Sequence, residues 1–484
     1  MKIILQNDLY KHSIKLLLLT ILSLSSCSEK DYLHPDPTTY IPQEQTFDTP
    51  ERVLALVNGL YRGMKDQQFY GGRYYIYVEV RGDEYINRTA NLFTAFDSWN
   101  HTLNAGSNEV QNLWTAAYRT INLCNVFLQG LNDNANKVDS EMVSQYAAEA
   151  KFVRAVAYFA LVTLYARPYI ENNGTSPGLP LRLQGETTSA NNSLPRSTVA
   201  EVYSQILKDL DEAEDDLPLT YDTPLLNTTR AHRNTAIALK TRVYLTMGNY
   251  SMVVQEAQKI VSHNAPYRAE TGVANALQTD ATIPFLGNNY TTTESMFSMP
   301  MTDLDSSTGQ SSITYNFNTA PAGNSEYNLN PDGIIGDIEW RENDQRRQFI
   351  TTGTTKYLRK YNKPSPFLDY IPVIRYAEVL LNYAEAAAHT GDLNKARNLL
   401  TFVRNRADAS YQFAANTVAD EASLVNTILH ERRIEFLGEG LRSNDLLRTL
   451  RTIPAKGSAP AVAPADEAYI FPLPNSELLT NKDL

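Results

Sequence analysis

Apolar and small residues recur at steps of three and four along much of this chain, which is the spacing of one face of an α-helix. Between positions 142 and 165 this stripe comprises Ala148, Phe152, Ala155, Phe159 and Val162. Pro168 follows, and proline ends a helix because it lacks the amide hydrogen and crowds the preceding turn. The pattern therefore predicts a long amphipathic helix that stops before Pro168.

A second helix is predicted where a hydroxyl residue precedes an acidic one by three positions. Thr198 can accept a hydrogen bond from the first turn, and Glu201 can complete the capping box. The apolar stripe then runs through Val202, Ile206, Leu210 and Ala213. Pro218 ends this helix, whose other face is acidic.

Two later stretches share one plan of two helices around a glycine turn. In residues 236–260 the turn lies at Gly248, and in residues 380–403 it lies at Gly391. Glycine readily ends a helix because it adopts a left-handed backbone conformation, and small residues allow paired helices to approach. The two stretches resemble tetratricopeptide repeats. We therefore predict an all-α fold, a tetratricopeptide-type helical-repeat scaffold with long loop-rich insertions.

The helical period is lost in two regions. From about residue 268 to 370, Gly, Asn, Thr, Ser and Pro surround short apolar pieces, and residues 67–112 form a second irregular region rich in aromatic residues. Long irregular segments on a rigid scaffold commonly carry binding surfaces. Both regions are therefore candidates for a ligand site.

The N-terminus has the features of an export signal. Lysines precede an apolar run at 16–24 that is too short to span a bilayer, and Leu24-Ser25-Ser26-Cys27 resembles a bacterial lipobox. We predict that residues 1–26 are a signal peptide, that Cys27 is lipidated, and that 27–484 form a single domain. The other cysteine, Cys124, is expected to be a small buried hydrophobe.

Charge and composition narrow the classes of ligand. The net charge of -11 argues against nucleic acid, because phosphate binding depends on clustered Lys and Arg. The chain has 29 Tyr but only 3 Trp, and many of the tyrosines lie outside the helical stretches. Tyrosine presents a rigid apolar face with a polar tip, which suits recognition, although packing in the core explains most of these residues.

Sequence motifs for catalysis are incomplete. His430-Glu431 begins like a zinc protease motif, but Ile434 stands where the second histidine is needed. Asp303 and Asp305 lack the glycine and the final glutamate of a calcium loop. We therefore expect no enzymatic activity, no metal site and no cofactor.

Several motifs in order along the mature chain resemble the SusD/RagB family of outer-membrane nutrient-binding lipoproteins. They are Cys27 with Tyr32-Leu33-His34-Pro35, residues 114–122, 148–159, 196–203, 374–381, 431–442 and Tyr469 to Pro474. The resemblance implies a SusD-like helical scaffold decorated by loops and anchored to the outer membrane by lipid. It also implies docking on a SusC-like TonB-dependent transporter, to which the protein passes captured oligosaccharides.

Two alternatives to a glycan-binding protein are a peptide-binding member of the same family and, less favoured, a degradative enzyme. Glu431, Arg432, Arg433 and Glu435 are interpreted as buried ion pairs that join helices, as are Arg375 and Glu378. Ligand contacts are instead sought among rings and polar groups of the irregular regions. The candidates are Arg81, Asp83, Asn87, Trp99, Tyr290, Tyr315 and Trp340. Trp99 and Trp340 have an equally favoured alternative role, as plugs that fix loops to the scaffold.

Acylation of Cys27 can be tested directly. A clickable fatty acid supplied to growing cells should label the wild-type protein, and Cys27→Ala should remove the label because the acyl acceptor is gone. Equal labelling of the two proteins would contradict the predicted anchor.

Overall fold

Helices formed from the predicted amphipathic stretches make up the scaffold. The computed structural model describes residues 45–484, so the predicted signal peptide and Cys27 lie outside the described residues. Backbone contacts divide the chain into residues 1–53 and 54–484, and the second unit contains the scaffold and both irregular regions.

Seventeen α-helices and four short β-strands occur in the described residues. The helices of the first half are α1 Pro50–Met64, α2 Arg73–Arg81, α3 Phe96–Asn100, α4 Asn108–Asp133, α5 Ser140–Tyr165, α6 Tyr169–Asn172, α7 Val199–Asp216, α8 Pro224–Thr229, α9 Arg233–Thr246 and α10 Tyr250–Ile260. Those of the second half are α11 Ile283–Leu286, α12 Ile313–Phe317, α13 Tyr376–His389, α14 Leu393–Ala407, α15 Glu421–Glu435, α16 Arg442–Arg448 and α17 Asn475–Thr480. The strands are β1 Tyr85–Asn87, β2 Ser295–Met299, β3 Tyr327–Leu329 and β4 Ile371–Arg375.

The predicted helical repeats are confirmed. Helix α4 packs on α5, α5 on α7, α7 on α9, and α9 on α10, while α13 packs on α10, α14 and α15. Gly248 and Gly391 have φ values of +72° and +88° at the turns of the two predicted pairs, a conformation that costs glycine little. The capping box also forms, because the Glu201 amide donates to Thr198 Oγ1 at 3.2 Å and the Thr198 amide donates to Glu201 Oε2 at 2.7 Å.

The irregular region predicted at 67–112 contains two helices, α2 and α3, and the start of α4. Helix α2 was not foreseen because its residues from Tyr75 to Arg81 are buried on all sides. A helix buried all round has no polar face, so the periodic pattern that reveals amphipathic helices is absent.

Two antiparallel strand pairs join the irregular regions to each other and to the scaffold. Tyr85 of β1 pairs with Leu329 of β3, which links the early region to the long insertion. Strand β2 pairs with β4, which leads directly into α13. The insertion is therefore fixed at two places by backbone hydrogen bonds.

A buried network of charges, here called the ion cluster, fixes the insertion to helices α14 and α15. Its acids are Glu294, Asp344, Glu431, Glu435 and Glu439, and its bases are Arg346, Lys360, Arg375, Arg404 and Arg406. The five negative and five positive charges balance. This arrangement agrees with the interpretation of Glu431, Glu435 and Arg375 as buried ion-pair residues.

Glu435 has three guanidinium partners in the ion cluster. Its carboxylate lies 2.6 Å from Arg406, 2.8 Å from Arg346 and 3.0 Å from Arg375. Burial alone would raise the pKa of this carboxyl, but the Arg406, Arg375 and Arg346 guanidinium groups hold it well below its usual range. The carboxylate contributes stability that is present above the pKa of an unfolded glutamate, near 4.5, and lost as the pH falls below it.

Replacing Glu435 by Gln should lower the free energy of unfolding by about 3 to 5 kcal/mol, because three buried guanidinium groups lose a shared counter-charge. Denaturant unfolding at pH 7 measures the loss. Glu421→Gln on the same helix is the matched control, since that exposed side chain should change stability by less than about 1 kcal/mol. Equal stability of the two variants would show that the ion cluster does not hold the insertion in place.

Candidate functional site

The two irregular regions meet at a buried carboxylate, Glu326, just before β3. Its Oε2 accepts hydrogen bonds from the hydroxyls of Thr89 and Thr94, the latter at 3.1 Å, and its Oε1 accepts from the Asn324 side-chain amide at 2.7 Å. The Arg88 amide also donates to the Glu326 carbonyl at 3.0 Å. One residue of the insertion therefore fixes the loop that carries residues 88–94.

A second buried carboxylate, Asp369, holds aromatic residues of the insertion together. Its oxygens accept from the Tyr290 hydroxyl at 2.9 Å, from Thr314 Oγ1 at 3.2 Å and from the amides of Asn362 and Lys363 at 2.8 and 2.7 Å. Burial raises the pKa of this carboxyl although the four donors oppose the shift. The arrangement fixes the Tyr290 ring and the helix that presents Tyr315.

Four rings of the insertion lie around Asp369 and remain partly exposed. Tyr290 stacks on Tyr370 with 4.7 Å between ring centroids and 10° between ring planes, and Tyr315 contacts Phe367 edge to face at 6.4 Å. Side chains that are paired and hydrogen-bonded in this way present apolar faces at low entropic cost. The structure thus brings together two of the predicted ligand residues, Tyr290 and Tyr315.

The early region adds a fifth ring, Phe93, which is 62% exposed. Its position is fixed through the backbone, because Arg73 Nη1 donates to the Phe93 carbonyl at 2.5 Å and Arg73 Nε donates to Ser311 Oγ at 3.1 Å. Ser311 lies in the turn that precedes α12 and Tyr315. We call the partly exposed rings of Phe93, Tyr290, Tyr315, Phe367 and Tyr370 the loop face.

Polar groups that can bind hydroxyls accompany these rings. Asn324 is exposed, and Arg88 is an exposed residue whose guanidinium donates to the Tyr357 hydroxyl and lies 5.5 Å from the centre of that ring. Apolar ring faces beside amide and guanidinium donors suit a ligand with both C–H faces and hydroxyl groups. Within residues 45–484 no group of three His, Cys, Asp or Glu side chains is arranged to hold a metal ion.

Three of the other predicted ligand residues have protein partners. Arg81 is buried and donates to the carbonyls of Ala468 and Tyr469. Asp83 binds Arg442 at 2.7 Å, and Asn87 accepts from the amides of Thr89 and Ala90, which shapes the start of the 88–94 loop. None of these contacts belongs to the loop face, although Asn87 supports it from β1.

The two predicted tryptophans have buried side chains. Trp99 is 3% exposed, and its Nε1 donates to the Tyr85 carbonyl at 2.8 Å. Trp340 is 1% exposed, and the Arg347 guanidinium lies 4.4 Å from the centre of its ring. This burial favours the alternative role of plugs that fix loops to the scaffold, and a ligand contact by either ring stays an untested prediction.

Sequence reasoning missed Phe93, Phe367 and Tyr370 as members of the loop face. The aromatic enrichment of the irregular regions was the available signal, but it did not distinguish exposed rings from buried ones. Several contacts of Glu326 and Asp369 join residues more than 50 positions apart, such as Thr89 with Glu326 and Tyr290 with Asp369. A single sequence gives no direct information on such pairs.

Residues 31–245 match a family described as "Starch-binding associating with outer membrane", and residues 280–484 match the SusD family. A SusD superfamily structure from Bacteroides fragilis is 32% identical, covers 91% of this chain and 99% of its own, and gives a TM-score of 0.83. The protein belongs to the SusD/RagB family.

Two further relatives extend the comparison. SusD-like protein P2 of Formosa agariphila is 26% identical over 98% of each chain. A laminarin-binding SusD-like protein of known structure is 21% identical, covers 90% of this chain and 98% of its own, and has a TM-score of 0.69. At that identity the last comparison establishes the shared fold.

Proposed function

We propose that this protein is a non-catalytic cell-surface protein that captures oligosaccharides at the loop face and passes them to a SusC-like TonB-dependent transporter. The main support for the proposal is the loop face, in which five partly exposed rings come from both irregular regions and buried Glu326 and Asp369 fix the loops that carry them. Membership of a family described as starch-binding and a laminarin-binding structural relative support a glycan as the ligand.

The chemistry of the loop face suits a neutral sugar. One face of a pyranose ring carries axial C–H groups, which pack against a planar aromatic ring, while its hydroxyls need donors and acceptors at the edge. Phe93 and Tyr315 offer such rings, and Asn324 and Arg88 offer edge donors. The separation of the rings over two loops favours a chain of sugar units over a single one.

Capture for a transporter also requires release. A stacked ring contributes on the order of 1 to 3 kcal/mol, by analogy with bases stacked on aromatic side chains. The binding free energy from a few such contacts is reduced by the cost of ordering the ligand. The resulting affinity still permits transfer to the transporter. Lipidation at Cys27, outside the described residues, would keep the protein at the outer membrane, and among residues 45–484 no helix is long and apolar enough to cross a bilayer.

Substitution of the exposed rings tests the ligand site. Phe93→Ala and Tyr315→Ala should each lower the affinity for the best neutral oligosaccharide from a glycan array by about 10- to 100-fold, since each loses one stacking surface. Isothermal titration calorimetry measures the affinity. Phe93→Ala should leave the melting temperature nearly unchanged because most of that ring is already in contact with water.

Phe413→Ala is the matched control, because this partly exposed ring lies in the connection between α14 and α15 and outside the loop face. It should leave affinity unchanged. Unaltered affinity in both Phe93→Ala and Tyr315→Ala would remove the loop face from the site. Binding of peptides with no binding of any glycan would favour the peptide-binding alternative.

The transporter partner can be tested by co-purification. Gentle detergent extraction of the native membrane, followed by affinity capture of this protein, should recover a large outer-membrane barrel that mass spectrometry identifies as a TonB-dependent transporter. Repeated recovery of the protein alone, under conditions that preserve another outer-membrane complex, would contradict the proposed partnership.

A further inference from the structure

A large cavity lies on a part of the protein that shares no lining residue with the loop face. Its volume is about 1010 Å³, and its wall is formed by residues of the segments 101–105, 165–171 and 465–473, together with Arg81 and Arg196. This volume lies at the upper end of the range for small-molecule sites.

Arg81 contributes an uncompensated positive charge to the wall. Its side chain is 1% exposed, and its Nη2 donates to the carbonyls of Ala468 at 2.9 Å and Tyr469 at 3.0 Å. Its Nη1 has no hydrogen-bond partner within the described part of the chain. Carbonyl groups satisfy donors but do not neutralise charge, so this guanidinium retains its charge without a carboxylate partner.

Arg196 also lacks a carboxylate partner. Its Nε donates to the Gly178 carbonyl and its Nη2 to the Pro177 carbonyl, both at 2.8 Å, and no carboxylate of residues 45–484 forms an ion pair with it. Other interior arginines differ, since Arg154 binds Asp209, Arg242 binds Glu378 and Arg448 binds Glu385. Among the buried arginines of residues 45–484, Arg81 alone lacks an acid partner, whereas half-buried Arg196 shares this lack with Arg347 and Arg397, which also donate to carbonyl groups.

The remaining charged groups of the wall cancel only part of this positive charge. Arg167 is paired with Glu171 at 2.6 Å, and Glu467 is an exposed residue. His101 is neutral at physiological pH, because burial first and then Lys456 lower its pKa to about 2. With three arginines against two glutamates the wall carries a net charge of +1. The protein as a whole is negative, but distant surface charges are screened over about 8 to 10 Å.

Apolar surface lies beside these charges. Leu103, Ile470 and Leu473 are partly exposed residues of the wall, and the Phe471 ring lies 5.1 Å from the Arg81 guanidinium. A free inorganic anion would leave this surface without a partner. An acidic sugar would use both, because its carboxylate can bind a guanidinium while the C–H groups of its ring contact the apolar side chains.

We propose that this cavity binds the carboxylate of a uronic acid unit, so that the protein accepts acidic sugars at a second site distinct from the loop face. The carboxylate would bind at half-buried Arg196, the buried Arg81 would add its positive charge to the wall, and the sugar ring would lie against Leu103 and Ile470. The choice of a sugar over another organic carboxylate rests on the proposed function. The presence of an anion site does not depend on it.

Saturation-transfer NMR and calorimetry with sodium D-glucuronate, compared with D-glucose and sodium acetate, test the proposal. Glucuronate should bind at least tenfold more tightly than either control compound, because only it offers both the carboxylate and the ring. Ala465→Trp should reduce glucuronate affinity at least tenfold by filling the cavity, and its exposed position should spare the fold. Ala461→Trp, exposed and outside the wall, is the matched control.

Arg196→Gln should also weaken glucuronate binding at least tenfold while the affinity of the loop face for a neutral oligosaccharide stays the same. Glucose binding as tightly as glucuronate, or equal glucuronate affinity in Ala465→Trp and Ala461→Trp, would overturn the site. Acetate binding as tightly as glucuronate would overturn the assignment of the cavity to a sugar ligand. Neutral oligosaccharide binding should be weakened in Phe93→Ala and unchanged in Ala465→Trp. This difference allows the cavity site and the loop face to fail or succeed independently.

Discussion

Glu435 and its three arginine partners hold the insertion on the helical scaffold. Arg346 comes from the insertion, Arg375 from the end of β4 and Arg406 from α14, so one carboxylate joins three segments that are distant in sequence. Taking an ion out of water costs several kcal/mol, and the mutual attraction of the charges offsets that cost only where every charge is matched. The balance of five acids and five bases meets this condition.

The ion cluster also helps to position the loop face. Lys360, Glu294 and Arg346 fix the insertion to the scaffold, and β1 with β3 fixes it to the early region. Glu326 and Asp369 then repeat the same device on a smaller scale, since each buried carboxylate gathers donors from several loop residues. Rings held in this way lose little freedom when a ligand arrives, and preorganisation of this kind increases affinity without new contacts.

The scaffold could be predicted from sequence because its signals are local. The stripe from Ala148 to Val162, the capping box at Thr198 and the glycines at 248 and 391 each specify a helix or its end through neighbouring residues. Helix α2 is not predicted from sequence, because it is buried on all sides and therefore lacks the alternation of polar and apolar faces. The motif around Glu431 and Glu435 is interpreted correctly as structural, because burying an unpaired charge is costly and a charge of opposite sign offsets that cost.

The candidate site was less predictable. Tyr290, Tyr315, Trp99 and Trp340 are all predicted as rings near polar groups outside the helical stretches. Tyr290 and Tyr315 do lie around Asp369, whereas Trp99 and Trp340 are buried. Whether an aromatic residue in a loop is exposed depends on which distant segment covers it. A Cβ added at Gly457 would lie 3.4 Å from the Trp99 ring. This glycine therefore covers the tryptophan, although it lies more than 350 residues further along the chain. No local pattern encodes such a contact.

Hydrogen exchange followed by mass spectrometry, with and without the neutral oligosaccharide that binds most tightly, shows whether the ligand binds at the loop face. We expect the ligand to slow exchange in residues 88–94, 309–326 and 362–370, which carry four of the five rings of the loop face, and to leave α9, α10, α13 and α14 unchanged. Slowed exchange confined to those four helices, with none in the three loop segments, would contradict this expectation.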